Sequence, residues 1–266
     1  MAGRDRIVEM LEALVTRGDI AGAATLVWRG GKVVQSAAVG WGDREASLLL
    51  GRDSLFRIAS LTKPVTSVAA MMLMEEGRFQ LDDAISGVAP EFVEMRALRT
   101  PGAALDDTGP AERPITFRDL MTHRSGLTYG AFHPGSLAEA YRAALGGDID
   151  SPVAPDDWIA GLAALPLVDQ PGAGFHYGHS TDLLGQLIAR MEGMSLGEVL
   201  QRRIFEPLGM EDTSFGIPTD KRGRRAAMYG FDPDGKSVRL SVAPGGATVA
   251  DRPADMTYES GGAGLW

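Results

Sequence analysis

The chain contains no cysteine, which excludes disulfides, a thiolate nucleophile and any cysteine-based metal site, so its chemistry must come from oxygen and nitrogen. Histidine is scarce, with four residues in 266 and none beyond His179. Basic residues are not in excess either. A net charge of −9 and a pI near 5.0 leave no cationic face for nucleic acid or anionic lipid, so neither partner is expected. The cluster Arg222, Arg224 and Arg225 lacks interleaved aromatics and reads as a solvated loop. No uninterrupted apolar run suits a signal peptide or a membrane span, and the N-terminus is charged, which sets the expectation of a cytoplasmic protein. With 44% hydrophobic residues the chain can nevertheless bury a substantial core.

What is present reads first as helix and hairpin. Residues 4–17 form an amphipathic pattern stopped by Gly18, and 23–27 with 32–39 read as two strands turned at Arg29-Gly30-Gly31. A helix follows from about Ser60 to Glu75. Further helices are expected over 116–121, opened by a Thr116-x-x-Asp119 cap, and over 137–144, 156–165 and 181–191. The stretch 99–114, rich in Pro, Gly and Asp, reads as a loop, and 232–235 as a hairpin turn. The expected organisation is an N-terminal part of an α/β domain over 1–80 and a mostly helical domain over 81–266, with a loop and hairpin region at 218–260. Two strands alone do not make a stable sheet, so the chain reads as cut short of a complete domain.

The residues that carry chemistry begin with Ser60-Leu61-Thr62-Lys63. Positions i and i+3 share a helix face, so the Lys63 amine can reach the Ser60 oxygen. A serine hydroxyl needs such a base to act as a nucleophile. Val65, Val68, Ala69, Met72 and Leu73 follow at helical spacing, and Pro64 fits only near a helix start. The helix must therefore begin close to Ser60, with its positive end beside the reacting oxygen. Gly193-Met194-Ser195-Leu196-Gly197 matches a nucleophile elbow, but a helix rather than a strand precedes it, and Ser195 with Glu198 forms a capping box. Tyr177, in Phe175-His176-Tyr177-Gly178-His179, sits on a tight loop before a strong helix, where it reads either as an aromatic anchor of the loop or, beside a lysine, as a phenol that relays a proton. His176 and His179 lack the acidic partner and the H-E-x-x-H pattern of a metal site.

Taken in order, Phe56–Lys63, Leu120-Met121-Thr122-His123-Arg124-Ser125-Gly126-Leu127, Tyr177 and Ile204-Phe205-Glu206-Pro207-Leu208-Gly209-Met210 resemble the serine β-lactamase and penicillin-binding-protein superfamily. The resemblance is strongest to its esterase branch, the family VIII carboxylesterases and their class C β-lactamase-like relatives. It implies an α+β fold, an antiparallel sheet flanked by helices with an inserted mostly helical domain and the active site between them. It also implies Ser60 as the acylated nucleophile, Lys63 as its base and Tyr177 as a second proton-transfer residue. Small carboxylic esters are the implied substrate, with no metal or organic cofactor. A β-lactamase or D,D-peptidase, a small-amide hydrolase or acyltransferase, and a non-catalytic binding module of this fold remain alternatives. Two departures stand out: His179 occupies the third place of the family's Tyr-x-Asn, and the family's third motif, on a C-terminal strand, has no counterpart before Trp266. That strand supplies one of two oxyanion donors in the family, so the resemblance implies that this chain by itself is impaired, by about 100- to 1000-fold.

Overall fold

The computed structural model describes residues 5–133, 135–241 and 256–266. In chain order the helices are α1 (Arg6–Arg17), α2 (Thr62–Glu75), α3 (Phe117–Met121), α4 (Ser136–Leu145), α5 (Pro155–Ala163), α6 (Ser180–Glu192), α7 (Leu196–Leu200) and α8 (Glu206–Leu208). The strands are β1 (Gly22–Arg29), β2 (Lys32–Asp43), β3 (Leu48–Leu49), β4 (Arg96–Leu98), β5 (Thr108–Pro110), β6 (Tyr229–Phe231) and β7 (Ser237–Arg239). Mixed α+β structure results, divided into two compact units.

One unit holds the described residues of 1–57 and 217–243. The Asp5 carboxylate caps α1 by accepting from the N–H groups of Ile7 and Val8, and Gly18 ends the helix at φ +80°. β1 and β2 pair antiparallel from Gly22↔Gly40 to Arg29↔Lys32, with a register shift between Val27 and Trp28. Their turn uses Gly30 and Gly31, both at positive φ, as the sequence implies. β2 runs on to Asp43, and β3 adds a third strand that two residues of sequence could not announce. β6 and β7 close a hairpin over the expected turn at 232–235, and residues 219–224, expected as loop, form a short 3₁₀ helix. Residues 242–255 of the region read as loop and hairpin lie outside the described residues.

The other unit holds the described residues of 58–216 and 252–266. Its core includes Leu73, Phe92, Phe117, Leu120, Trp158, Leu183 and Leu187. α6 is buried without interruption from Ser180 to Ile188, more enclosed than an amphipathic stripe requires, and it packs against α2, α3, α5 and α7. The stretch read as a loop over 99–114 needs correction. Its end forms β5, which pairs with β4 through Arg96↔Pro110 and Leu98↔Thr108, a strand too short to show alternation. Among the described residues no helix is long and apolar enough to cross a membrane.

Candidate active site

Ser60 lies in a 3₁₀ turn, Ala59–Leu61, that runs directly into α2. Ala59 stands at φ +44°, a sparsely populated conformation for a residue with a Cβ, of the kind that gathers where function dictates the backbone. The turn is held from outside. Ile58 N–H donates to Leu265 O at 3.0 Å, and Thr62 Oγ1 donates to Ala59 O at 2.7 Å while accepting from Leu265 N–H at 3.1 Å.

One helical turn on, Lys63 Nζ lies 3.2 Å from Ser60 Oγ, the contact that the i, i+3 spacing predicts. Tyr177 Oη donates to the same oxygen at 2.6 Å. The structure thus brings Ser60, Lys63 and Tyr177 together. Lys63 is not aimed by its own helix alone, however. Its amine also donates to Gly262 O at 2.8 Å and reaches Tyr129 Oη at 3.5 Å, and it sits 4.5 Å from the Tyr177 ring centre and 5.6 Å from that of Tyr129.

Tyr177 is placed by its neighbours. A Cβ on Gly178 would strike the backbone of Thr128, so only glycine lets the two loops meet here. The Tyr177 ring packs beside His123 at 4.9 Å, Tyr129 at 5.8 Å and Phe132 at 6.1 Å between centres. Burial, aided by the charge of Lys63, pushes the His123 imidazole down to about 4, so it faces this cluster uncharged at neutral pH.

Beneath the three residues lies a fully buried carboxylate, Asp182, in the first turn of α6. It accepts from Tyr129 Oη at 2.9 Å, from Ser260 Oγ at 2.5 Å and from Gly262 N–H at 3.0 Å. Its burial opposes the charge, but His179, Ser260 and Lys63 outweigh that and hold its pKa below the ordinary carboxylate value. His179 is itself fully buried, with Nδ1 3.4 Å from Asp182 and Nε2 3.5 Å from Asp148, ion-pair separations rather than well-formed hydrogen bonds. Burial works against its proton, yet the two flanking carboxylates prevail and raise its pKa. Burial first, then Asp182, pushes the Tyr129 phenol well above its usual range.

Ser195 caps α7 in a reciprocal box with Glu198, as its sequence context requires. His176 pairs with Asp169 at 3.1 Å, so the two histidines of the loop go to different partners. Among the described residues no cluster of side chains could hold a metal ion. Sequence reasoning missed Tyr129, Asp182, Ser260 and Gly262. An acid in the first turn of a helix, as Asp182 is, carries no sequence signature of its own, and Gly262 works through a backbone carbonyl that no side chain advertises.

Comparison with known proteins places the chain in one family. The family model described as Beta-lactamase matches residues 7–266. The lovastatin esterase of Penicillium rubens is 32% identical over 88% of this chain and 58% of its own length. Esterase EstB of Burkholderia gladioli is 31% identical over 93% of the chain and 62% of its own length. The chain therefore spans about three fifths of these curated relatives. Among solved structures, EstCE1, described as a hydrolase with promiscuous acyltransferase activity, superposes with a TM-score of 0.81 at 27% identity, covering 98% of this chain and 68% of EstCE1. The fold is that of the β-lactamases and transpeptidases, and the chain belongs to the beta-lactamase family.

Proposed function

We propose that this chain carries the nucleophile and base of a serine hydrolase acting on small carboxylic esters through an acyl-enzyme on Ser60. One observation carries the reading: a single serine oxygen within 2.6 Å of a phenol and 3.2 Å of an amine. In its amine form Lys63 accepts the Ser60 proton, directly or through Tyr177, as Oγ attacks the ester carbonyl carbon. The same proton then leaves on the departing alcohol. Water attacks the acyl-Ser60 carbonyl next, giving a carboxylic acid and restoring the hydroxyl. The ester-cleaving names of two relatives support this substrate class. EstCE1's described acyltransferase activity favours a second outcome at the same site, in which an alcohol replaces water as acceptor.

A fluorophosphonate probe tests the reading. The protein carrying this sequence should be labelled at Ser60, located by peptide mass spectrometry, and should hydrolyse p-nitrophenyl esters, with both signals absent in Ser60→Ala. Folded protein that takes no label and cleaves no ester would defeat the proposal in favour of a binding module. Hydrolysis should also weaken as pH falls, since the base must be unprotonated; a rate flat between about pH 5 and 9 would remove Lys63 and Tyr177 from that role.

A further inference from the structure

We propose that Asp182 is the positioning residue of the lysine base, holding the two partners that aim Lys63 Nζ at Ser60. The proposal rests on the reading of Ser60 and Lys63 as nucleophile and base. It arises from a connected set of hydrogen bonds that leads from a buried anion to the amine.

Ser260 Oγ donates to Asp182 and accepts from Ala263 N–H at 2.9 Å. That N–H belongs to the same peptide group as Gly262 O, the carbonyl on which Lys63 donates at 2.8 Å. The series runs carboxylate, hydroxyl, peptide, ammonium, each bond polarising the next. A second arm is shorter: Asp182 Oδ2 accepts from Tyr129 Oη, which lies 3.5 Å from Lys63 Nζ. Both arms end on the same nitrogen.

Two further observations show that this crowding is built. A Cβ on Gly262 would come 2.6 Å from Asp182 Oδ2 and 2.8 Å from Tyr129 Oη, so the segment approaches only because no side chain stands there. From α2 itself, Thr66 Oγ1 donates to Gly261 O at 2.8 Å, docking the segment on the helix that bears Lys63. A carboxylate buried this deeply keeps its charge only because it is paired, here with the donors Tyr129, Ser260 and Gly262 and with His179 at 3.4 Å. The same anion is linked to Lys63 through Tyr129. Lys63 is faced by Ser60 from its own helix start, Tyr129 and His123 from the loops around α3, Tyr177 from the loop before α6, and the Gly262 carbonyl from the last segment. Behind these groups stands the Asp182 anion, itself paired with His179, and it and Lys63 feel each other's charge.

Two separable effects follow for Asp182→Asn, measured in the protein carrying this sequence. Loss of aim should lower kcat by roughly 10- to 100-fold with KM within about threefold of wild type. Loss of the negative charge should move the acidic limb of the pH–rate profile to lower pH, because a buried anion no longer attracts the positive charge across Tyr129. Ser260→Ala breaks the longer arm but keeps the charge, so kcat should fall with the limb in place. A folded Asp182→Asn variant with wild-type kcat, or with a lower kcat and an unmoved limb, would overturn the proposal. Should that variant not fold, an Ser260→Ala enzyme with undiminished kcat would overturn it instead. A third readout does not need turnover: modification of Lys63 by trinitrobenzenesulfonate, followed by peptide mass spectrometry. It should be at least about threefold faster in Asp182→Asn, since the buried anion that attracts the ammonium is gone. If wild type cleaves no ester but this rate changes, the esterase reading fails alone; an unchanged rate overturns the role of Asp182.

Discussion

Replacing His179 by asparagine removes a buried cation from between two carboxylates, and its cost can be worked from the geometry. The imidazole lies 3.4 Å from Asp182 and 3.5 Å from Asp148 and touches solvent nowhere. At an effective dielectric near 20 each contact is worth about 5 kcal/mol in Coulomb energy. Desolvation takes back several kcal/mol per ion, and breaking such a buried pair by removing one partner costs about 3–5 kcal/mol net. For a chain of this length that is a fall in Tm on the order of 10 °C. The dependence on pH has a definite sign. The pKa of His179 is raised from its ordinary 6.5, so its contribution is fully present below that value and is lost as pH rises through the raised one. Urea unfolding followed by circular dichroism should show a gap between wild type and His179→Asn that is widest at about pH 6 and narrows as pH rises through the raised pKa. A variant as stable as wild type at the acidic end of that range would refute a charged imidazole in this site.

Other expectations are simpler. Tyr177→Phe keeps the ring contacts with His123, Tyr129 and Phe132 and loses only the bond to Ser60, so kcat/KM on p-nitrophenyl esters should drop about 100- to 10,000-fold at unchanged Tm. Activity within threefold of wild type would take the phenol out of the mechanism. Gly178→Ala drives a methyl into the Thr128 backbone and should cost about 3 kcal/mol or more in denaturant unfolding, whereas Gly87→Ala, with open space around it, should cost far less. His123 takes its proton only at about 4 in the fold against 6.5 in the unfolded chain, so stability should be lost as pH falls between those values and no further below. A His123→Phe variant should not show that loss; an identical acid profile would place its origin elsewhere.

Legibility in the sequence followed how locally each feature is encoded. The α1 stop at Gly18, the hairpin turn at Gly30-Gly31, and the caps at Thr116 and Ser195 depend on neighbouring residues, and each was readable from a few letters. β3 and β5 span two and three residues, below the length at which alternation appears. The contact between Ser60 and Lys63 was legible because the helix repeat sets it. The apposition of Tyr177 was approachable only through a resemblance, since 117 residues separate it from Ser60. Asp182, Ser260 and Gly262 escaped because their roles come from tertiary placement, and one of them acts through its main chain.

The bond from Lys63 to the Gly262 carbonyl joins residues 199 apart in the chain. At about 5–20 residues per second of synthesis, Lys63 is incorporated some 10 to 40 seconds before its acceptor exists. During that interval the serine and lysine share a helix start but lack the carbonyl that orients the amine. The approach of Lys63 to Ser60 is in this sense timed as well as placed, because one of the groups that orient the amine is made long after it.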